Sequence, residues 1–297
     1  MTPSTPATAH QSTSARFQII GPISVTTSGG YPTLLTGRKV GAVLVTLAVR
    51  ANLVTPLDTL VAEVWGDRPP RRTVASVQVY ISQLRRLMGQ RTATTGPLIT
   101  TAPGYLLRVG PGDLDSEIFR DLLEAGRAQL AAGLLSEAGE TLQRALDMAG
   151  NGPWTQIGHG PLLREFASWL ERSRIECLDL LVQVAFARGR HAEQISHLYA
   201  LVSEHPLHES FAWYLMESLR RSNRRAEALR VFDTYRTRLA REFGLEPGPD
   251  LTWLRNWILE SGTPVPDLPH EQSLLRLGGL PSADKSGSAG ERSWVDR

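Results

Sequence analysis

Pro69 and Pro70 stand between two apolar stripes of helical period, and no helix can run through them. The first stripe is Leu57, Leu60, Val61, Val64 and Trp65, and it stops at Gly66. The second is Val74, Val77, Ile81, Leu84 and Met88. Each repeats at three- and four-residue steps, the mark of an amphipathic helix. An earlier stripe, Val40, Val43, Leu44, Leu47 and Ala48, predicts a first helix from Arg38 to about Asn52. Thr55-Pro56-Leu57-Asp58 reads as a capping box for the second helix, with Thr55 as N-cap. The third helix is expected over Thr73–Met88.

Short β-type runs flank the three helices. Phe17–Val25, broken at Gly21-Pro22, and Pro32–Leu35 predict a small antiparallel sheet ahead of the first helix. Leu98–Thr101 and Tyr105–Val109 around Ala102-Pro103-Gly104 predict a hairpin after the third. Three helices followed by a β-hairpin make a winged helix-turn-helix, in which the third helix enters the major groove of DNA and the hairpin lies over the neighbouring minor groove or backbone.

Charge agrees with that reading. Residues 1–112 hold 11 Arg/Lys and 3 Asp/Glu, a balance of +8, whereas residues 113–270 hold 17 and 23, a balance of −6. The whole chain of 297 residues is nearly neutral at +2, which hides the split. No acidic residue occurs from Arg68 to Pro111. The outward face of the third helix carries Arg72, Ala75, Ser76, Val79, Ser82, Gln83 and Arg86. A solvated helix normally mixes Glu with Lys. Ser, Gln and Arg donate to base edges and phosphates, and an exposed Val suits a thymine methyl. The free amides at the start of the second helix, near Thr55, are expected to add a phosphate contact.

From Glu117 to about Glu260 strand signals vanish and helix pairs take over. Leu122, Ala125 and Leu130 pair with Ala138, Leu142, Ala145 and Leu146 across Gly133, and Leu162–Arg188 reads as a long helix or a kinked pair. Ala192, Ile195, Leu198 and Leu201 align with Ala226, Leu229, Phe232 and Tyr235 at an offset of 34, and Gly189 aligns with Asn223. That period belongs to tetratricopeptide-type helix pairs, which stack into a superhelix with a concave face. Phe211, Trp213, Leu215 and Leu219 are expected in the core, as is Cys177, the single cysteine. Residues 1–15 read as a disordered lead-in and residues 263–297 as a disordered tail. The two folded parts are then 16–111 and 113–262.

Catalysis is not expected. There is no phosphate-cradling glycine loop, no GxSxG and no HExxH, and the seven histidines show no ligand spacing. Neither a cofactor nor a metal is predicted. No apolar run is long enough to span a bilayer, and a single cysteine fits a reducing cytoplasm, so a cytoplasmic, nucleoid-associated protein is expected.

The string WGDRPPRRTVASVQVYISQLRRLMG, followed by PLITTAPGYLLRV, resembles the DNA-binding domain of the Streptomyces antibiotic regulatory protein family. SEHPLHESFAWYLMESLRRSNRRAEALRVFDTYRTRLAREFGLEPGPDLTWLRNWIL resembles the bacterial transcriptional activation domain that follows it there. The resemblance covers residues 16–260. No phospho-acceptor receiver is expected, because about 15 residues precede the first strand. It implies a fold that is mainly α, a winged helix-turn-helix followed by helical repeats. It implies an activator of secondary-metabolite genes that binds tandem direct repeats near promoters, two protomers head to tail, and recruits RNA polymerase through its sigma subunit. Base contacts would fall at Ser76, Val79, Gln83 and Arg86. Arg71, Arg72, Thr73 and Ser82 on the helix, and Thr100, Thr101 and Gly104 on the wing, complete the DNA-facing set. Asp67, Arg68 and Arg71 are the polymerase-facing candidates, and Tyr105 is expected to pack under the wing. Gln83 prefers adenine where related winged helices carry an arginine that prefers guanine. The rival reading is a helical-repeat scaffold whose basic domain docks on a protein or RNA.

Overall fold

The computed structural model describes residues 15–27, 30–150 and 158–260. The tail at 263–297, residues 1–14 of the lead-in and part of the Gly29-Gly30 turn lie outside the described residues. Ala15, placed in the lead-in, is buried. The chain divides into two compact units.

The first unit comprises, among the described residues, 15–27, 30–125, 143–150 and 158–175. It opens with strands β1 (Arg16–Gln18), β2 (Ser24–Thr26) and β3 (Thr33–Leu34), paired antiparallel in that order. Phe17, Ile19, Ile20 and Val25 turn into the core. The Asp115 carboxylate, at the start of helix α4 (Asp115–Ala131), accepts the amides of Ile19 at 2.9 Å and Ile20 at 3.1 Å. Burial pushes this carboxyl up to about 6, against the opposing pull of those amides.

Helix α1 (Arg38–Val49) is buried continuously from Gly41 to Val49, because the sheet and the other helices surround it. Asn52 then takes a left-handed turn (φ 64), which its short polar side chain tolerates. Its Nδ2 donates to the Val109 carbonyl, and its Oδ1 accepts the Val109 amide, both at 3.0 Å.

The capping box does not form. Thr55 lies within strand β4 (Val54–Pro56), and helix α2 (Leu57–Trp65) starts two residues after it, with Pro56 as N-cap. Pro56 has ψ 149, an extended conformation, and Val54 and Thr55 pair with Leu106 and Tyr105. The hairpin needs a third strand, and a ladder of backbone hydrogen bonds outweighs one side-chain cap of about 1 kcal/mol. Helix α3 (Thr73–Leu87) ends with Met88 as its C-cap. Strands β5 (Leu98–Thr101) and β6 (Gly104–Leu107) form the hairpin, and β6 lies centrally in the sheet β4-β6-β5.

The second unit comprises, among the described residues, 126–142 and 176–260. Helices α5 (Leu135–Ala149) and α6 (Pro161–Ala187) contribute residues to both units, and α7 (Ile195–Glu204) and α8 (Glu209–Arg221) belong to the second. Helices α9 (Arg225–Phe243) and α10 (Pro249–Glu260) follow. The segment read as a long helix or a kinked pair is one helix of 27 residues. Gly189 (φ 72) and Asn223 (φ 60) both adopt the left-handed turn expected at equivalent points of the 34-residue repeat. Leu198 and Phe232, and Leu201 and Tyr235, are buried in both copies. Ala192 and Ala226 are exposed and Leu229 is half-buried, so the core register of α9 runs through Ala228 and Val231 instead. Cys177 is buried, its thiol donating to the Leu142 carbonyl at 3.2 Å. Phe211, Trp213, Leu215 and Leu219 are core. Among the described residues no helix is long and apolar enough to cross a membrane.

Candidate nucleic-acid interface

Helix α3 buries Val77, Ile81 and Leu84, with Met88 closing the stripe. Val74, expected in that stripe, is 48% exposed. It sits in the first turn at the edge of the apolar arc, about 50° from its centre. On the other side Ala75, Val79, Ser82, Gln83 and Arg86 are exposed and Ser76 is half-buried. Val79 stands 53% exposed on this face. The Ser76 hydroxyl donates to the Arg72 carbonyl at 3.0 Å, which leaves its oxygen free to accept. Arg71 and Arg72 are exposed at the helix entrance, Thr73 is half-buried, and Asp67 and Arg68 are exposed in the preceding turn.

Two residues expected at the interface are buried. The Thr55 side chain is fully buried in β4, and its hydroxyl has no partner. Gly104 is buried opposite Pro56. A Cβ there would run into the Thr55 carbonyl oxygen, with the Thr55 carbonyl carbon at 2.8 Å and Pro56 Cα at 2.9 Å. The glycine is therefore required by the close approach of two strands rather than by a phosphate. Thr100 is exposed and Thr101 half-buried on β5, and Tyr105 packs beneath the wing as expected.

The residue that joins helix to wing is Arg85. Its Nε donates to the Leu98 carbonyl at 3.2 Å and its Nη2 to the Thr100 hydroxyl at 2.7 Å. Burial lowers its pKa, and the nearby Tyr105 offsets part of this. Gln90 adds a second staple, its Nε2 donating to the Leu98 carbonyl at 2.6 Å and its Oε1 accepting the Leu98 amide at 3.0 Å. Neither residue was expected in the site. The available signal was angular: Arg85 falls between the buried and outward arcs of α3, where a long side chain reaches whatever follows the helix. Arg85→Ala should leave the Leu98 carbonyl and the Thr100 hydroxyl without this donor and loosen the wing. The expected loss is about 1–2 kcal/mol of stability, read by urea unfolding. Arg85→Lys should recover only part, because an ammonium cannot span both acceptors as the fork does. Full stability of Arg85→Ala would remove the tether.

A winged helix-turn-helix followed by helical repeats is the build of a transcriptional regulator. Residues 32–107 match the family model described as "Transcriptional regulatory protein, C terminal", and residues 114–259 match "Bacterial transcriptional activator domain". The chain is 32% identical over 252 residues to the regulatory protein DnrI of Streptomyces peucetius, covering 83% of this chain and 92% of that one. It is 33% identical over 268 residues to the regulatory protein AfsR of Streptomyces coelicolor, covering 90% of this chain. The chain spans only about a quarter (26%) of the length of AfsR. The solved structure of Mycobacterium tuberculosis EmbR, in complex with a low-affinity phosphopeptide, matches with a TM-score of 0.76 at 28% identity. That match covers 90% of this chain and 69% of the other. The chain belongs to the Streptomyces antibiotic regulatory protein family of transcriptional activators.

Proposed function

We propose that this chain is a sequence-specific double-stranded DNA-binding activator that reads bases in the major groove with α3. The observation that carries the reading is the outward face of α3: exposed Val79, Ser82, Gln83 and Arg86, with no carboxylate from Arg68 to Pro111, beside a wing braced by Arg85. Ser76, Val79, Gln83 and Arg86 read bases, with Gln83 set for adenine. Arg71, Arg72, Thr73, Thr100 and Thr101 hold the backbone, and these contacts fix register without choosing sequence. Two protomers occupy tandem direct repeats head to tail. The exposed turn Asp67, Arg68 and Arg71 meets RNA polymerase and its sigma subunit, and the regulated genes are those of one antibiotic pathway.

Titration on duplex promoter fragments at several salt concentrations tests this. Affinity should fall steeply as salt rises, and one fragment carrying two direct repeats should outcompete the rest. A flat salt response without preference among fragments would favour the protein- or RNA-docking scaffold. Arg86→Ala should cost about 1–3 kcal/mol of binding to the preferred site and little on random duplex. A uniform loss on both would move Arg86 to the phosphates. Transcription in vitro with sigma-bearing polymerase, with and without the protein, gives the sign of regulation. Asp67→Ala should reduce the activation while leaving the DNA titration unchanged.

A further inference from the structure

The second unit holds a groove of about 370 Å³ between α7, α8 and α9, lined by Tyr199, Val202, Leu215, Val231 and Tyr235 among others. Its apolar floor is bordered by two cations on α9, Arg230 and Arg238. Among the described residues neither makes an ion pair. Elsewhere in this unit Arg220 and Arg221 pair with Glu217, Arg224 with Glu227 and Arg236 with Glu246, whereas Arg190 and Arg225 also make no ion pair among the described residues. The one carboxylate in the lining, Glu227, is already engaged. It accepts Nε of Arg224 at 2.8 Å, Nη2 of Arg224 at 2.7 Å and the Tyr199 hydroxyl at 3.3 Å. Asp233 lies three residues from Arg230, about 60° around α9, and among the described residues makes no ion pair with it. The groove therefore carries two arginines without an ion pair over a hydrophobic strip, and the Glu227 charge that Arg230 feels is shared with Arg224.

We propose that this groove binds a short acidic peptide segment of a partner protein in extended form. Arg230 and Arg238 are eight residues apart on one helix face, about 12 Å along the axis. An extended chain advances about 3.3 Å per residue, so carboxylates four positions apart match that span. Apolar side chains between them meet Tyr199, Val202 and Val231. A small monoanion could satisfy only one arginine, whereas a peptide with two carboxylates at that spacing meets both. This site is distinct from α3, and its test does not depend on DNA binding.

The probe is the fluorescein-labelled heptapeptide Gly-Glu-Leu-Phe-Leu-Glu-Gly, with a counterpart in which both Glu are replaced by Gln. Anisotropy with the full chain should show the acidic peptide binding about tenfold tighter at low salt, the sum of two exposed ion pairs. The advantage should shrink as salt screens the pairs. The double variant Arg230→Gln/Arg238→Gln should lose it while keeping its melting temperature and its DNA affinity. Equal binding of the two peptides, or an unchanged preference in the double variant, overturns the proposal. Displacement of the peptide by equimolar glutarate also overturns it, because the site would then be a pocket for small dicarboxylates.

Discussion

Gly104→Ala should destabilise the winged helix by more than about 3 kcal/mol and weaken binding to duplex DNA at least about tenfold. The atoms a new methyl would meet are all backbone: the carbonyl of Thr55 and Cα of Pro56. No side chain can swing aside, so the relief must come from parting β4 and β6. Parting them breaks the pairings of Val54 with Leu106 and of Thr55 with Tyr105. It also lifts the wing on which Thr100 and Thr101 stand. Overpacking in a well-filled core costs about 1–3 kcal/mol even where side chains adjust, and loss of ladder hydrogen bonds adds to that. Gly89→Ala is the control. Gly89 has φ 65 but nothing within 4 Å of its would-be Cβ, so only the backbone penalty of about 1–2 kcal/mol applies. Urea unfolding and duplex titration of the two variants should separate steric from conformational cost. Equal losses would mean that the strands yield without parting.

The same glycine shows how far the interface was legible in the sequence. The buried and outward faces of α3 follow from a 3.6-residue period, so Val77, Ile81, Leu84 and Gln83 fall where that period puts them. The hairpin was legible from two β-type runs around a turn. Strand β4 was not. Val54-Thr55-Pro56 is only three residues long and carries a strong helix-start pattern. Its extended form is decided by β6, about 50 residues away in sequence, which no local rule contains. Thr55 and Gly104 are both buried for that single reason, since each contacts the other across this pairing. Arg85 was missed because its partners, Leu98 and Thr100, are positioned by the loop after α3 rather than by the helix. In the repeats, Gly189 and Asn223 were legible because a left-handed turn restricts residue choice. The shift of the α9 core to Ala228 and Val231 was not, because alanine fits either face of a helix.

Glu63→Ala should produce the largest loss of stability from a single polar residue in the first unit, about 3 kcal/mol or more. Glu63 lies on α2 and is only 2% exposed. Its carboxylate accepts the amides of Leu162 at 3.0 Å and Leu163 at 2.9 Å, the first free donors of α6. Its own backbone carbonyl accepts the amides of His159 at 3.0 Å and Gly160 at 3.2 Å. The approach is so close that a Cβ on Gly160 would collide with the Glu63 carboxylate. A carboxylate at a helix N-terminus gains from the two charge-assisted hydrogen bonds and from the helix dipole. Alanine removes both acceptors at once and leaves two amides shielded from water, each costing about 1–3 kcal/mol. Gln keeps the shape and one acceptor but presents an NH2 group to the other amide, so Glu63→Gln should cost less, about 1–2 kcal/mol. Native-state hydrogen exchange provides the local reading: the Leu162 and Leu163 amides should exchange faster in Glu63→Ala, with Gln intermediate. Unchanged exchange at both amides would show that this carboxylate does not secure the start of α6. If the order holds, an acidic residue on the second helix of the DNA-binding fold serves to fix α6 rather than to face DNA. That leaves the outward face of α3 free of carboxylates without leaving this one unpartnered.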